Sequence, residues 1–579
     1  MSIRGVAVWC SVIAVIAAIL ARDRLFSGPL ADCRTIPGDT SWPDTSVWSQ
    51  LNATVGGKLI RTVPLAAVCH KTIAGEPNPS YNEEQCAVLR DHWFLPETHL
   101  PSPSSPMSYY FSNNSCNPWL GPDTPCTIGS TSVYVINATK VADIQGGIRF
   151  ATEHNIRLVI RNTGHDYLGK STGAHSLTIW THNFKSIELL EKGYSKPHYT
   201  GPAVKMGAGV EALEAYKFAA PHGLAVVGGN CPTVAVAGGF TQGGGHGPLA
   251  SRHGLAADQV LEWEVISPTG EYLTVSTTEN ADLFWALRGG GGGTFGVVVS
   301  MTVKAFPDTY TSTASMMVPN TGANADALYA AIGEFITTTL PDLVDAGAFV
   351  SWIVAPFGFM ITPAVAPGVT SAELDQLLQP MLNTLKAAGL EYQHAPARQH
   401  ATFLDAYQFY QQGASWNVSD YTLGGRLISR DVALQNTSAF VEVIRHISTV
   451  ALFSGVSYNV GGSADEEVAV NPYFRKTLVG VALGTPLNYT DWSATLAGQN
   501  LVTNDLVPAL TKLTPDGAAY LSEVDFQQPD FQRTLYGAHY PRLLEVKHKY
   551  DPAGIMYAKT AVGSEEWEER DDGRLCRVK

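Results

Sequence analysis

The sequence predicts an α+β fold built from more than one domain. A strand, a helix over residues 141–153 and a second strand follow one another between residues 132 and 160, which is the pattern of a β-α-β unit. Glycine-rich stretches lie between predicted strands and helices, and helices alternate with apolar strands from about residue 308 to 500. The 579-residue length is enough for about two to four domains with cores of their own.

Composition and charge narrow the classes of partner. The chain is 45% hydrophobic and 16% charged, values that are typical of a globular protein. It carries 52 acidic against 38 basic residues, for a net charge of -14, and it has no basic stretch that would follow a phosphate backbone. We therefore predict no nucleic-acid partner.

The N-terminus predicts entry into the secretory pathway. Arg4 precedes an apolar run from Gly5 to Ala21. Its length fits either a cleaved signal peptide or a retained signal anchor over residues 1–21. Under both alternatives the protein is secreted or lumenal, and membrane attachment requires that the anchor is retained.

Cysteines and glycosylation acceptors agree with that route. Cys10 lies in the leader and Cys231 in a glycine-rich stretch, and the other six of the eight cysteines predict three disulfides whose connectivity the sequence leaves open. These six are Cys33, Cys69, Cys86, Cys116, Cys126 and Cys576. The Asn-x-Ser/Thr acceptors are Asn52, Asn113, Asn137, Asn417, Asn436 and Asn488.

After the leader, four segments differ in their pattern. A lead-in rich in Pro, Asn, Ser and Cys predicts irregular structure held by disulfides, and the β-α-β unit follows it. A second α+β domain, interpreted as the substrate (cap) domain, precedes a C-terminal segment that returns to the first domain. The segments are 28–125, 126–308, 309–510 and 511–579. In the last of them we predict a strand at residues 518–526 and a helix at residues 531–550.

Two stretches in the second segment indicate a cofactor site. An apolar strand at residues 156–160 is followed by Gly164-His165, in the way that a cofactor-binding loop leaves a strand. The stretch 230–247 holds Cys231 and many glycines, which lack the Cβ that would keep backbone and ligand apart. This composition predicts a backbone that passes close to a large flat cofactor, and five glycines at 289–293 indicate the same.

Four motifs resemble those of berberine bridge enzyme-like flavoproteins, within the vanillyl-alcohol oxidase superfamily. They are Arg161-x-x-Gly164-His165-Asp166, Cys231-Pro232-Thr233-Val234, Arg252-x-Gly254-Leu255-Ala256-Ala257-Asp258 and Trp285-Ala286-x-Arg288-Gly289-Gly290. The lead-in and the closing residues 570–576 resemble the fungal branch. The resemblance implies a PCMH-type, two-subdomain FAD-binding domain, an α+β substrate domain and a C-terminal segment that returns to the flavin domain.

The resemblance also implies an FAD that is attached to the protein twice. In the family, the histidine of the Gly-His pair bonds to the 8α-methyl group of the flavin, and the cysteine before Pro-Thr bonds to carbon 6. The matching residues here are His165 and Cys231. Double attachment raises the flavin potential and helps it to take hydride from unactivated C–H bonds. The other cofactor-binding residues are Arg161, Gly164, Asp166, Ser171, Thr233, Val234, Gly238, Gly239, Gly244, Gly245 and His246, the last without a catalytic role.

Substrate oxidation by hydride transfer requires a base for the O–H or N–H proton. The family carries active-site side chains on a late strand resembling Tyr-x-Asn-Tyr-x-Asp, and this chain has Tyr520-Leu521-Ser522-Glu523-Val524-Asp525. Alternation along a strand would place Tyr520 and Ser522 on one face and Glu523 and Asp525 on the other. Glu523 is the candidate base and Tyr520 the alternative, while a solvated strand carboxylate is the competing interpretation of Glu523.

The motifs leave three functions open, each with a small organic substrate. Val234 follows Cys-Pro-Thr, where the resemblance implies an oxidase that uses O2. The first function is an FAD-linked oxidase of fungal secondary metabolism that oxidises an alcohol or amine carbon or closes a ring. The second is a secreted alcohol or carbohydrate oxidase, and the third is a non-redox cyclase with a structural flavin. The substrate cannot be read, because residues 308–500 contain no motif.

Overall fold

The computed structural model describes residues 32–190, 194–196, 199–412, 417–418, 420–462 and 467–578. The predicted leader, residues 1–21, lies outside these ranges, as does Cys10. Within the described ranges, no helix combines the length and apolar character that crossing a membrane would need. Three β-sheets and the helices packed on them make up most of the fold.

A four-stranded sheet contains the predicted β-α-β unit. Its strands, in order, are Leu59–Arg61, Tyr134–Asn137, Leu177–Trp180 and Leu158–Arg161. The last three are parallel, which requires a crossover connection, and helix Val141–Glu153 provides it with the predicted bounds. Ile144, Ile148 and Ala151 form one face of this helix and are buried in the core of the sheet.

A five-stranded antiparallel sheet follows. Its order is Tyr272–Val275, Val260–Ile266, Val297–Lys304, Ala203–Gly207 and Ile187–Leu189. Helices Ala212–Ala219 and Ala281–Ala286 contribute to its core, in which Trp263 and Phe295 are fully buried. The glycine-rich stretch 289–293 lies between helix Ala281–Ala286 and strand Val297–Lys304, and the stretch 230–247 follows strand Leu224–Ala225; all three elements contribute side chains to this core.

A seven-stranded antiparallel sheet lies within the segment predicted as the substrate domain. Its order is Gln393–His400, Thr311–Pro319, Gly358–Pro367, Phe349–Ala355, Leu452–Ser457, Thr477–Gly484 and Gly424–Ser429. Successive side chains of a strand point to opposite faces. Val350, Trp352 and Val354 therefore enter a core shared with helices, whereas Phe349 and Ser351 face a cavity.

Helices surround these sheets and also occupy part of the lead-in. Besides those already given, the α-helices are Thr45–Thr54, Glu83–His92, Pro96–His99, Ala250–His253, Ala325–Glu334, Leu340–Asp345, Ser371–Ala387, Phe403–Gln411, Arg430–Gln435, Thr437–Ser448, Trp492–Leu501, Val507–Leu513 and Tyr540–Tyr550. The lead-in is therefore more regular than its composition predicts, and it also supplies the edge strand Leu59–Arg61.

The three predicted disulfides are confirmed. They are Cys33–Cys576, Cys69–Cys86 and Cys116–Cys126. The first joins the start of the described chain to its end, and the other two lie within the lead-in. Cys231 is the free cysteine of the described residues.

The predicted strand at residues 518–526 is wrong. The segment forms a turn in which the Glu523 amide donates to the Tyr520 carbonyl at 2.9 Å. The apolar Leu521 and Val524 pack three residues apart into the core of the five-stranded sheet, and a short apolar pattern does not distinguish this spacing from strand alternation. The predicted alternation of side chains is therefore wrong as well, because Tyr520, Ser522 and Glu523 all line one cavity.

The predicted helix at residues 531–550 is divided. A π-helical turn covers Gln532–Tyr536, a 3₁₀ turn covers Gly537–His539, and the α-helix begins only at Tyr540. Gly537 has a φ of 59°, which is outside the helical region, and Pro541 suits the first turn of the new helix.

Candidate active site

One cavity of about 420 Å³ gathers residues from three parts of the chain. The Gly-His loop and the glycine-rich stretch form one side of it. The seven-stranded sheet contributes Ser351, Ser454 and Ala482, and the C-terminal turn contributes Tyr520 and Glu523. Segments that are far apart in sequence therefore share one site.

A buried arginine supports the Gly-His loop from behind. Gly164 has a φ of 91°, and a Cβ there would lie 2.5 Å from the Arg161 guanidinium, so the loop crosses this side chain only with glycine. Arg161 donates to the Ser102 carbonyl at 3.3 Å, while its Nε and Nη1 have no hydrogen-bond partner among the described residues. Burial lowers the pKa of Arg161 to about 10, so the side chain remains charged at neutral pH.

His165 is a neutral imidazole in this loop. Burial, followed by the charge of Arg161, lowers the pKa of His165 to about 3. Its Nε2 lies 2.7 Å from Thr233 Oγ1. Nδ1 therefore remains the ring nitrogen that is available for a bond to another group. The Asp166 carboxylate holds the loop by accepting from the amides of Leu168 and Ser171, each at 3.0 Å.

Cys231 contacts the same threonine. Its Sγ lies 3.6 Å from Thr233 Oγ1, within the range of a hydrogen bond to sulfur. Burial raises the pKa of the thiol, which is therefore protonated at neutral pH. One hydroxyl thus contacts both side chains that the sequence predicts as flavin attachments.

The glycine-rich side of the cavity fits FAD. Gly239 is exposed to the cavity, and no atom lies within 4 Å of the position that its Cβ would take. Asn162 Oδ1 and Gln242 Oε1 are buried acceptors in the cavity wall, and neither has a hydrogen-bond partner among the described residues. An unsatisfied buried acceptor costs about 1–3 kcal/mol, so these atoms favour a ligand that donates hydrogen bonds.

A second group of side chains contains the candidate base. His246 Nε2 lies 3.2 and 3.3 Å from the two carboxylate oxygens of Glu523. The His246 ring stacks on Tyr458 at 5.4 Å and meets Tyr520 edge-on at 5.2 Å. Burial and the charge of Glu523 raise the pKa of both tyrosines, so their hydroxyls are protonated and can donate hydrogen bonds.

Most residues that the sequence predicts for the site line this cavity. These are Gly164, His165, Asp166, Ser171, Cys231, Val234, Gly238, Gly239, His246, Tyr520 and Glu523. Arg161 and Thr233 are not lining residues, but they contact the two predicted attachment residues or their loop. Gly244 and Gly245 do not line the cavity, since a Cβ at the first would meet Val470 and at the second Phe240 and Ala256.

Several lining residues were missed by the sequence analysis. Lys170 follows the Gly-His loop, and burial lowers its pKa to about 8. Its position five residues after His165 is a signal that could have identified it. Phe349 and Ser351 come from the seven-stranded sheet, and no sequence motif identifies them. Tyr458, which stacks on His246, follows strand Leu452–Ser457 and is not itself a lining residue.

Two family models match two of the three parts of the chain that build the site. The model described as FAD binding domain matches residues 133–276, and the model described as Berberine and berberine like matches residues 519–563. Together with a cavity that fits FAD, they define a flavoprotein oxidoreductase. The second matched region includes the turn that carries Tyr520 and Glu523.

Whole-chain comparisons identify the family. FAD-linked oxidoreductase sor8 of Hypocrea jecorina is 42% identical over 95% of this chain and 94% of its own length. VAO-type flavoprotein oxidase VAO615 of Thermothelomyces thermophilus is 39% identical over 94% of this chain and 95% of its own length. The crystal structure of the VAO-type flavoprotein VAO615 from Myceliophthora thermophila C1 matches with a TM-score of 0.90 and 37% identity, over 94% of this chain and 100% of that one. The chain belongs to the fungal FAD-linked oxidoreductases of the VAO and berberine-bridge-enzyme type.

The fold extends to more distant flavoproteins. The glucooligosaccharide oxidase of Acremonium strictum, which carries a 6-S-cysteinyl, 8α-N1-histidyl FAD, matches with a TM-score of 0.62 over 75% of this chain and 92% of that one. At 18% identity this likeness concerns the fold alone. The predicted PCMH-type α+β fold is confirmed, and so is the prediction of an FAD-dependent oxidoreductase.

Proposed function

We propose that this protein is an O2-using oxidase that removes a hydride from an alcohol carbon of a small organic molecule. The observation that carries the proposal is the His246–Glu523 pair, 3.2 Å apart in the cavity that also holds His165 and Cys231. A carboxylate within reach of the substrate can take the hydroxyl proton as the hydride leaves carbon. FAD, when bound, supplies the hydride acceptor and passes the two electrons to O2, which gives H2O2.

The residues of the second group have separate roles in this proposal. Glu523 is the base, and His246 orients its carboxylate through the hydrogen bond between them. Tyr520 is a hydrogen-bond donor to the substrate oxygen rather than a base, because its raised pKa keeps the hydroxyl protonated. This assignment gives His246 a positioning role, which the motif alone does not supply.

The cofactor is proposed to be attached through His165 Nδ1 and Cys231 Sγ. The hydrogen bond between His165 Nε2 and Thr233 supports this choice of ring nitrogen, since it occupies the other one. Arg161, Asp166 and the glycine-rich stretch hold the loops around the ring. Val234 lines the cavity three residues after Cys231, and we assign the approach of O2 to this position.

The sheet side of the cavity supports a neutral substrate with an apolar body. Its lining residues from the described part of the seven-stranded sheet and its margin carry no charge; they are Phe349, Ser351, Leu423, Ser454, Val456 and Ala482. A carbohydrate would require a larger number of hydrogen-bonding side chains than these two hydroxyls. Oxidation of a secondary metabolite, in the secretory pathway that the disulfides favour, accords with this surface.

The proposal is tested by anaerobic reduction of the flavin. Primary alcohols with aromatic or aliphatic bodies are mixed with the holoenzyme, and bleaching near 450 nm is followed. Glu523→Gln keeps a hydrogen bond to His246 but cannot accept the proton, so we expect reduction to slow by about 10²–10⁴-fold. Tyr520→Phe should slow it much less. A Glu523→Gln enzyme with unchanged reduction, or a wild-type flavin that no alcohol bleaches, would contradict the proposal, and the second result would favour a non-redox cyclase.

A further inference from the structure

A helix outside the cofactor motifs holds the segment that carries Cys231. Tyr407 Oη donates to the backbone carbonyl of Asn230 at 2.8 Å, and Gln411 Nε2 donates to the same oxygen at 2.9 Å. Tyr410 Oη donates to the Asn230 side-chain oxygen at 2.9 Å. All three donors belong to helix Phe403–Gln411, and we refer to them as the Asn230 clamp.

The tyrosines of the clamp are fixed donors. Tyr407 is fully buried and packs edge-on against Tyr216 at 4.8 Å and Tyr410 at 5.3 Å. Burial raises the pKa of Tyr407 and Tyr410, so both hydroxyls keep their protons. Two protonated tyrosine hydroxyls and the Gln411 amide therefore hold the Asn230 peptide and its side chain.

The chain is anchored on the other side of Cys231 as well. The Leu213 amide donates to the Pro232 carbonyl at 3.1 Å, and the Ala212 amide donates to the Val234 carbonyl at 3.0 Å. These amides begin a helix and have no partner within it. Cys231 thus lies between two fixed points, and the clamp provides the upstream one.

We propose that the Asn230 clamp positions the Cys231 sulfur for its bond to the flavin, so that helix Phe403–Gln411 controls whether this bond forms. The inference rests on the proposed attachment through Cys231. Bond formation replaces the S–H bond and one ring C–H bond by an S–C bond, and the two electrons and two protons that are released reduce O2 to H2O2. A sulfur displaced by about 1 Å loses the geometry required for such a step.

The test uses the full-length holoenzyme with His165→Ala, in which Cys231 is the only proposed attachment. After acid precipitation, flavin is measured in pellet and supernatant, and free thiol is measured in the denatured protein. Tyr407→Phe and Tyr410→Phe keep the rings and remove one hydrogen bond each. A net loss of about 1 kcal/mol corresponds to a factor of about five. We expect the ratio of released to attached flavin to rise about five-fold for each variant, with a matching rise in free thiol.

Two controls separate positioning from general packing. Tyr329→Phe removes a buried hydroxyl hydrogen bond with Ser448, 2.8 Å long, in the core of the seven-stranded sheet, and it should leave the ratio unchanged. Because Tyr410 acts through the Asn230 side chain, Tyr410→Phe should have no further effect in an Asn230→Ala background.

The outcomes are distinguishable. If the ratio of released to attached flavin in the Tyr407→Phe and Tyr410→Phe proteins equals that of the parent, the proposed role of the clamp is wrong, while the attachment through Cys231 still stands. An equal effect of Tyr329→Phe would overturn the clamp in favour of packing. Complete release of flavin from the His165→Ala parent would overturn the attachment itself and the clamp with it.

Discussion

Replacing Thr233 by valine is predicted to slow both attachments of the flavin. Thr233 is 7% exposed, and its Oγ1 lies 2.7 Å from His165 Nε2 and 3.6 Å from Cys231 Sγ. Valine has a similar shape and no hydroxyl. The substitution therefore removes both hydrogen bonds and leaves the packing of the loop in place.

The magnitude follows from the protonation of His165. With a pKa of about 3 the ring is neutral and carries one proton. When that proton is on Nε2, the ring donates to Thr233, Nδ1 presents its lone pair to the cofactor, and the threonine proton is free for the sulfur of Cys231. Loss of the acceptor leaves a buried N–H unsatisfied, at a cost of about 1–3 kcal/mol. We expect attachment through His165 to slow by roughly 5- to 150-fold.

The assay follows acid-stable flavin in a Cys231→Ala background, where His165 is the only proposed attachment. Protein produced under riboflavin limitation is supplied with FAD, and samples are precipitated over time. Thr241→Val is the matched control, because Thr241 is also buried in the glycine-rich stretch and its hydroxyl donates to the Val236 carbonyl instead. Attachment at the parental rate in the Thr233→Val protein would refute the role given to this hydroxyl.

Three further predictions concern stability and flavin binding. Burial lowers the pKa of His99 from 6.5 to about 4, so between these values the unfolded chain takes up a proton that the folded chain does not. The free energy of unfolding should therefore fall by up to about 3 kcal/mol as the pH decreases through this window. In urea titrations, the His99→Gln variant should lose less stability than the parent over the same pH range. Cys33→Ser combined with Cys576→Ser should lower the calorimetric Tm by an amount equivalent to about 2–5 kcal/mol, and an unchanged Tm would contradict it. Gly239→Leu should fold normally, since no atom lies within 4 Å of the new Cβ, but lose most of its flavin absorbance.

The cofactor side of the site could be predicted from the sequence because its determinants are local. His165 and Cys231 each lie in a short motif that begins where a predicted element ends, and helix Val141–Glu153 has a regular apolar face that fixes its bounds. The same locality explains why Thr233 was assigned to the cofactor without its dual contact being foreseen. That contact joins loops that are 68 residues apart, and only the packed loops reveal it.

The C-terminal turn could not be predicted, because tertiary contacts decide its conformation. The Leu427 amide of the edge strand Gly424–Ser429 donates to the Ala518 carbonyl at 2.8 Å and fixes the start of the turn. Gly425 then admits the Glu523 carbonyl, with which a Cβ at that position would collide. These contacts bring Tyr520 and Glu523 to the same cavity, where strand alternation would have separated them.

The proposed substrate side of the cavity depends on the register of the seven-stranded sheet, which no sequence motif records. Ser351 is paired with Val456, and Ser454 with Ala482, on three strands that are distant in sequence. All four side chains line the cavity, and a slip of one residue in any of these strands would turn its contribution into the helix-covered core. Relatives can therefore share every cofactor motif and still differ in substrate through single exchanges at these paired positions. Under the proposed function, the size of these four side chains helps to determine the space that remains for the substrate beside Glu523.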